Sequence, residues 1–303
     1  MSATVRDEDT MMLCASCGTA EIDDTKLMKC ACKLVKYCSV KCQRDHRPQH
    51  KKECKKRVAE LRDELLFEQP EGNHFGDCPI CCLPLPYDSG KFCLNPCCCK
   101  RICNGCDLAN KRREYEGRLQ NTCPFCREAL PETDEEEIEQ VKKRIEANDP
   151  LALCNMGADK YTKGEYKAAF EYWTRAAAVG DAAAHYHLSI MYDEGKGVEK
   201  EKKKQMQHSK EAAISGHPIA RHNLGCWEAR NDRVDRAAKH FIIAARLGDD
   251  KSLEFVKELY KAGIVSKDDF TAALRGYQAA LAAAKSPQRE EAAEIEKKLG
   301  GFY

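Results

Sequence analysis

The chain has 303 residues and a formal net charge of +1. That length leaves room for two or three domains, and the near-zero charge excludes a global field that would steer the protein to nucleic acid or an anionic membrane. Of its 20 cysteines, 18 lie between Cys14 and Cys126, so a small N-terminal part rests on sulfur chemistry and a larger C-terminal part on an ordinary apolar core.

Small domains bury too little apolar surface to stand without disulfides or metal. The N-terminus "MSATVRDEDT" is charged and no stretch approaches transmembrane length, which predicts a cytoplasmic and/or nuclear protein, not a secreted or membrane-bound one. In such reducing compartments cysteine pairs read as metal sites.

The first cluster runs Cys14-x2-Cys17, Cys30-x-Cys32, Tyr37-Cys38-x3-Cys42 and His50-x3-Cys54. Seven cysteines and one histidine suffice for two tetrahedral zinc sites. This order, with "YCSVKCQ" and "HKKEC", resembles the MYND zinc finger over residues 14–54. The resemblance implies interleaved sites: Cys14, Cys17, Cys38 and Cys42 on one zinc, and Cys30, Cys32, His50 and Cys54 on the other. The "CAC" pair departs from the family, which has two residues between those ligands, so the local turn must change. His46, one helical turn before His50, reads as a surface histidine, with a stand-in ligand as the alternative. MYND fingers are adaptors for short, often proline-containing peptides. Where they accompany methyl transfer a SET domain supplies the catalysis, and no SET-like segment occurs here. The basic stretch 44–57 reads as a solvated helix face. It lacks the interleaved aromatics that stack on bases, so nucleic acid is not an expected partner.

Residues 55–73 form a helical connector: "KKRVAELRDELLFEQ" carries Val58, Leu61, Leu65 and Leu66 at helical spacing and stops before Pro70. The second cluster, within residues 74–130, holds Cys78-x2-Cys81, the triple Cys97-Cys98-Cys99, Cys103-x2-Cys106 and Cys123-x2-Cys126. Ending in "CPFCR", it resembles a RING-type finger with cysteine in place of the usual histidine. That resemblance implies Cys78, Cys81, Cys103 and Cys106 on one zinc, with Cys123, Cys126 and two of the triple on the other. Alternation along a strand favours Cys97 and Cys99, whereas the family pattern favours Cys97 and Cys98, which is the pair adopted. About four zinc ions are therefore expected, two per finger. In ligase-active members of this class three positions meet the ubiquitin-conjugating enzyme, and Ile80, Pro124 and Arg127 match them. Such ligases act by positioning alone, so no catalytic residue is implied. A zinc deaminase is excluded because no H-x-E motif accompanies the pairs. Cys82 and Cys93 are left as packed or semi-exposed thiols, and Cys154 and Cys226 as core residues of the repeats.

Residues 131–147 form an acidic helical linker, "ETDEEEIEQ" being its core. From 148 to 286 the composition turns alanine-rich and repeats. "AAAVGD" (176–181), "AAISGH" (212–217) and "AARLGD" (244–249) recur at intervals of 36 and 32 residues, the length of a helical hairpin. Gly180, Gly216 and Gly248 stand where helices end in a left-handed residue. Ala184, Leu188, Tyr192, Gly195, Gly197 and Val198, with Ala212, Ala213 and Gly216, resemble a Sel1-like repeat, a relative of the tetratricopeptide repeat. About four units are expected, the last degenerate, with residues 287–303 as a C-terminal tail. Such solenoids offer a surface to protein partners.

The expected fold is thus two small zinc-stabilised cross-brace fingers followed by an all-α Sel1-like solenoid, an order that resembles a family of unicellular algal proteins. The expected function is a zinc-binding adaptor that recruits peptide or protein partners through the MYND finger and the repeat surface. The alternative is a RING-type ubiquitin ligase using those surfaces to choose substrates. A more distant one is a transcriptional regulator with the basic helix on DNA.

Overall fold

The computed structural model describes residues 13–21 and 26–298. The chain divides into two compact units, residues 1–68 and 69–303.

In the first unit β1 (Met28–Lys29) pairs antiparallel with β2 (Lys36–Tyr37), and α1 (Val40–Leu66) follows. Ser39 caps α1 by accepting a bond from the Cys42 N–H at 3.2 Å. This one helix carries three cluster residues, Cys42, His50 and Cys54, and continues through the apolar positions that predicted a separate connector. Val58 packs against the finger's core of Cys14, Leu27, Cys30, Cys32 and Tyr37, so the connector's first turn completes that core. Pro48 lies inside α1; without an N–H it forgoes one helical bond.

The second unit opens with a hairpin, β3 (Phe92–Asn95) against β4 (Lys100–Cys103), and a helix, α2 (Asn104–Gly117). Leu85 and Ile102 are the buried aliphatic side chains of its core cluster, with Phe75 and Phe92 packed beside them. An interior this small follows from a segment with few large apolar residues.

Helices then follow in pairs: α4 (Pro150–Thr162) with α5 (Tyr166–Ala178), α6 (Ala182–Glu194) with α7 (Lys202–Ile214), and α8 (Pro218–Arg230) with α9 (Val234–Arg246). Each first helix starts on an N-cap that accepts a backbone N–H: Asp149, Asp181 and His217, continued by Asp249 for α10 (Asp250–Lys261). Three residues on, Ala152, Ala184, Ala220 and Ser252 are buried, letting neighbouring helices approach. Each second helix ends at Gly180, Gly216 or Gly248, with φ of 90°, 78° and 98°, values only glycine adopts freely. The middle hairpin has the longer loop, with Gly195 and Gly197 both at positive φ, which accounts for its 36-residue spacing.

The hairpins exchange volume at one facing pair. Gly157 in α4 lies under Trp173 in α5, and a Cβ there would sit 2.5 Å from the indole. Gly225 in α8 lies under Phe241 in α9 in the same way, at 2.7 Å. At the matching positions of the middle hairpin, both sides are small and buried, Ser189 and Ser209. The residue five positions after each cap also obeys a rule: Cys154, Tyr186 and His222 meet the next repeat's cap, Asp181, His217 and Asp249 respectively.

The acidic helix α3 (Asp134–Glu146) meets the first hairpin as a second helix would. Its exit, Ala147-Asn148-Asp149, has Asn148 at φ 55° where later repeats have glycine. Arg175 donates to the Ile145 carbonyl at 3.2 Å and to Asn148 Oδ1 at 2.7 Å. After α10 come α11 (Lys267–Ala283) and α12 (Pro287–Lys298). This last helix, in the stretch expected as a tail, packs on α2 so closely that a Cβ at Gly105 would lie 2.8 Å from the Arg289 nitrogen. Arg112–Glu291 at 2.6 Å and Lys91–Glu296 at 3.2 Å flank the contact. Among the described residues no helix is long and apolar enough to cross a membrane.

Candidate metal centres

Sixteen side chains gather into four groups: Cys14, Cys17, Cys38, Cys42; Cys30, Cys32, His50, Cys54; Cys78, Cys81, Cys103, Cys106; and Cys97, Cys98, Cys123, Cys126. Within each group the four donor atoms all lie within 4.8 Å of one another. A tetrahedron with zinc–sulfur bonds of about 2.3 Å has edges of about 3.8 Å. Sulfur–sulfur separations of 3.5 Å for Cys17–Cys38, 3.8 Å for Cys81–Cys103 and 3.7 Å for Cys98–Cys123 match such edges. In the second group the histidine turns Nε2 inward, 3.1 Å from Cys32 Sγ and 3.7 Å from Cys30 Sγ. The donor sets, three of four sulfurs and one of three sulfurs with imidazole, suit zinc.

The same turn presents most of these ligands. The Cys14 N–H donates to the Thr19 carbonyl, that of Cys78 to Leu83 and that of Cys123 to Glu128, at 2.8, 3.0 and 2.7 Å. The residue after each second cysteine, Gly18, Cys82 or Arg127, is left-handed and bonds back to the first cysteine's carbonyl. The short "CAC" pair keeps this form with one residue fewer. Lys33 is left-handed at φ 60°, and its N–H reaches the Cys30 carbonyl at 2.9 Å.

This turn also sorts the cysteine triple. Residues 96–99 form a turn between β3 and β4, not a strand, so alternation does not apply. The Cys99 N–H bonds the Asn95 carbonyl at 2.8 Å, and Cys99 is left-handed at φ 50°. Asn95-Pro96-Cys97-Cys98 thus superposes in sequence on Cys78-Pro79-Ile80-Cys81 and Cys123-Pro124-Phe125-Cys126, with Cys99 in the place of Cys82 and Arg127. Cys97 and Cys98 join Cys123 and Cys126, while Cys99 is buried with Sγ 3.9 Å from the Pro96 carbonyl. The likeness of "NPCC" to "CPIC" and "CPFC" was the available sequence signal. His46 is outside the groups: it stacks on His50 with centroids 5.6 Å apart and meets the Tyr37 hydroxyl at 3.0 Å.

Electrostatics within the groups drives neighbouring thiols in opposite directions. The contact with Cys103, ahead of burial, pulls the Cys78 thiol down to about 4, and the contact with Cys78 pushes Cys103 up. Burial, then the neighbouring sulfurs, pushes Cys54 up to about 11. Thiolates this close ionise at one another's expense; a divalent cation at their centre lets all of them bind as thiolates.

The three positions matched to ligase contacts are not presented together. Ile80 is 40% exposed, Pro124 is buried, and the Arg127 guanidinium donates to Asn110 Oδ1 at 2.9 Å.

Sequence reasoning missed one residue at these centres. Arg289 of α12 donates to Cys81 Sγ at 3.3 Å and to the Leu83, Pro84 and Ala284 carbonyls at 3.1, 2.6 and 2.8 Å. A cation beside a sulfur ligand offsets the charge of a four-thiolate site. Its sequence separation from Cys81 leaves no local signal. Beside it a recess of about 790 Å³ opens, lined by Leu85, Tyr87, Tyr277, Leu281 and Arg289 among others.

Two small cysteine-rich fingers followed by an array of paired helices define the class, a multi-finger helical-repeat protein. Residues 14–54 match the MYND finger family. The DAP3-binding cell death enhancer 1 proteins of Mus musculus and Rattus norvegicus are each 22% identical over 196 residues, 52% of this chain. The chain spans 38% of the length of those relatives. Among solved structures, a Sel1 repeat protein from Oxalobacter formigenes is 24% identical at a TM-score of 0.44, covering 56% of this chain and 50% of its own. The protective antigen c5321 of uropathogenic Escherichia coli is 23% identical at 0.39, covering 57% and 38%.

Proposed function

We propose that the protein is a zinc-loaded adaptor whose MYND finger and helical repeats each bind a protein partner. The observation that carries this reading is the gathering of sixteen cysteine and histidine side chains into four zinc-sized groups, in a chain that also carries an array of paired helices. The sixteen are the zinc ligands, four to a metal, and their bound ions hold the fingers' shape. Such an adaptor acts where thiols stay reduced, in the cytoplasm or nucleus.

The test has two arms. Native mass spectrometry of the full chain should count about four zinc ions; two would remove half of the ligand assignment. Zinc-loaded and chelated chains, immobilised in parallel, should then be offered proline-containing peptides and a DAP3 protein, the partner that the relatives' name states for them. Peptide binding that needs zinc supports the MYND surface, and DAP3 binding that survives chelation supports the repeats. Binding of neither by the zinc-loaded chain refutes the adaptor reading. The ligase alternative predicts discharge of ubiquitin from a loaded conjugating enzyme by the full chain; with Pro124 buried and Arg127 held by Asn110, no discharge is expected.

A further inference from the structure

The third hairpin contains a polar chain that the zinc centres do not use. His222 and Cys226 lie one turn apart on α8, with Sγ 3.5 Å from His222 Nε2. On its other side His222 Nδ1 is 2.8 Å from Ser252 Oγ and 3.5 Å from Asp249 Oδ2. Asp249, only 3% exposed, caps α10 and also receives the Tyr87 hydroxyl. Phe241 of α9 and Phe255 of α10 pack on the imidazole, each with centroids 5.4 Å away.

Repeat symmetry sets this arrangement apart from a chance contact along one helix. At the position of Ser252 the other repeats bury alanine, at 152, 184 and 220. At the position of His222 they have Cys154 and Tyr186. In this hairpin alone among those repeats an imidazole meets both a hydroxyl and a carboxylate from the next helix, and a thiol from its own. The bond with Asp249, followed by that with Cys226, raises His222 to about 9. Near neutral pH the ring is thus an imidazolium, with Nδ1–H directed to α10 and Nε2–H to the sulfur.

We propose that Cys226 is a nucleophilic modification site that takes small α,β-unsaturated carbonyl compounds, with His222 as its proton partner and Asp249 as the group that orients His222. The Cys226 thiol gives up its proton to solvent beside the imidazolium. Its sulfur then attacks the β-carbon: the S–C bond forms and the C=C pair moves toward the carbonyl as an enolate. The proton on His222 Nε2 passes to the α-carbon, and solvent restores it. Imidazolium next to a thiol favours the attacking thiolate.

N-ethylmaleimide is the probe, added in brief, limiting pulses to the zinc-loaded full chain, with each cysteine read separately by peptide mass spectrometry. Cys93, also half-buried but with no imidazole beside it, and exposed Cys82 are internal references. Cys226 should react at least about tenfold faster than Cys93 at pH 7. His222→Asn should slow Cys226 about tenfold and leave Cys82 unchanged, and Asp249→Asn, which retains the cap, should slow it less. Labelling of Cys226 no faster than Cys93, or an unchanged rate in His222→Asn, overturns the proposal. If His222→Asn fails to fold, the wild-type rates still decide: labelling of Cys226 no faster than Cys93 overturns it. The zinc-ligand cysteines report separately, since their rapid labelling would refute the metal assignment and leave this one standing.

Discussion

The second finger and the helical hairpins build interiors from different materials. In the finger's core cluster, buried Cys78, Cys98, Cys103, Cys106 and Cys123 surround Leu85 and Ile102. In the first hairpins, Leu153, Trp173, Leu188 and Met191 interlock with alanines. With the proposed zinc bound, one interior closes when four sulfurs share a cation, and the other when large and small side chains fill one another's space. Each should therefore fail under a treatment that spares the other.

Chelation gives the largest separation. Structural zinc contributes roughly 10–16 kcal/mol to the folding of small fingers, so a zinc-free chain should lose amide protection throughout 26–66 and 74–130. Helices α4 to α9 should keep theirs in the same hydrogen-exchange experiment. Equal loss in both regions would erase the contrast. A sharper version targets one sulfur. Cys98→Ser should lower the zinc count by one, and Cys99→Ser should leave it unchanged, because only Cys98 lies in a ligand group.

On the helical side, Trp173→Ala removes a 2%-exposed indole whose Nε1 donates to the Cys154 carbonyl at 3.0 Å. A loss of about 3–5 kcal/mol is expected in denaturant unfolding of the repeats, with the zinc count intact. Acid probes the seam inside the second unit. His74 stacks on His217 with centroids 4.1 Å apart, and His217 on Tyr186 at 4.5 Å. Burial lowers His74 to about 2, His217 to about 3 and His187 to about 4, from 6.5. Above pH 6.5 these rings are neutral folded or unfolded; below it the unfolded chain takes protons that the buried rings refuse. Stability should decline from pH 6.5 downward by up to about 1.4 kcal/mol per pH unit per ring. Melting between pH 6.5 and 5.5, at constant zinc occupancy, should show a shallower slope in His74→Phe. An unchanged slope would mean that His74 takes no part. The smallest effect is Asp181→Ala, which removes a cap bonded to the Ala184 N–H at 2.7 Å and should cost about 1 kcal/mol in the same unfolding assay.

Much of this contrast was legible in the chain. The C-x2-C pairs and the recurrent A-A-x-x-G-[DH] ends are local patterns, so spacing revealed the clusters and the hairpins. The structure draws the sixteen expected positions into four groups. Less legible were relations that no local pattern encodes. Gly157 is a helix-weakening residue until Trp173 is placed over it, and Cys226 is one more packed thiol until α10 brings Asp249 and Ser252 beside His222.

The sequence by itself determined the period of the helices, their caps and glycine ends, and which segments lean on sulfur. Those features follow from contacts between residues a few positions apart, where backbone geometry leaves little choice. Tertiary structure alone decided that α3 serves the first hairpin, that α12 folds back on α2 and that Arg289 reaches Cys81. These depend on which surfaces remain unfilled after the repeats stack, a property of volume and charge in three dimensions that residue spacing does not carry.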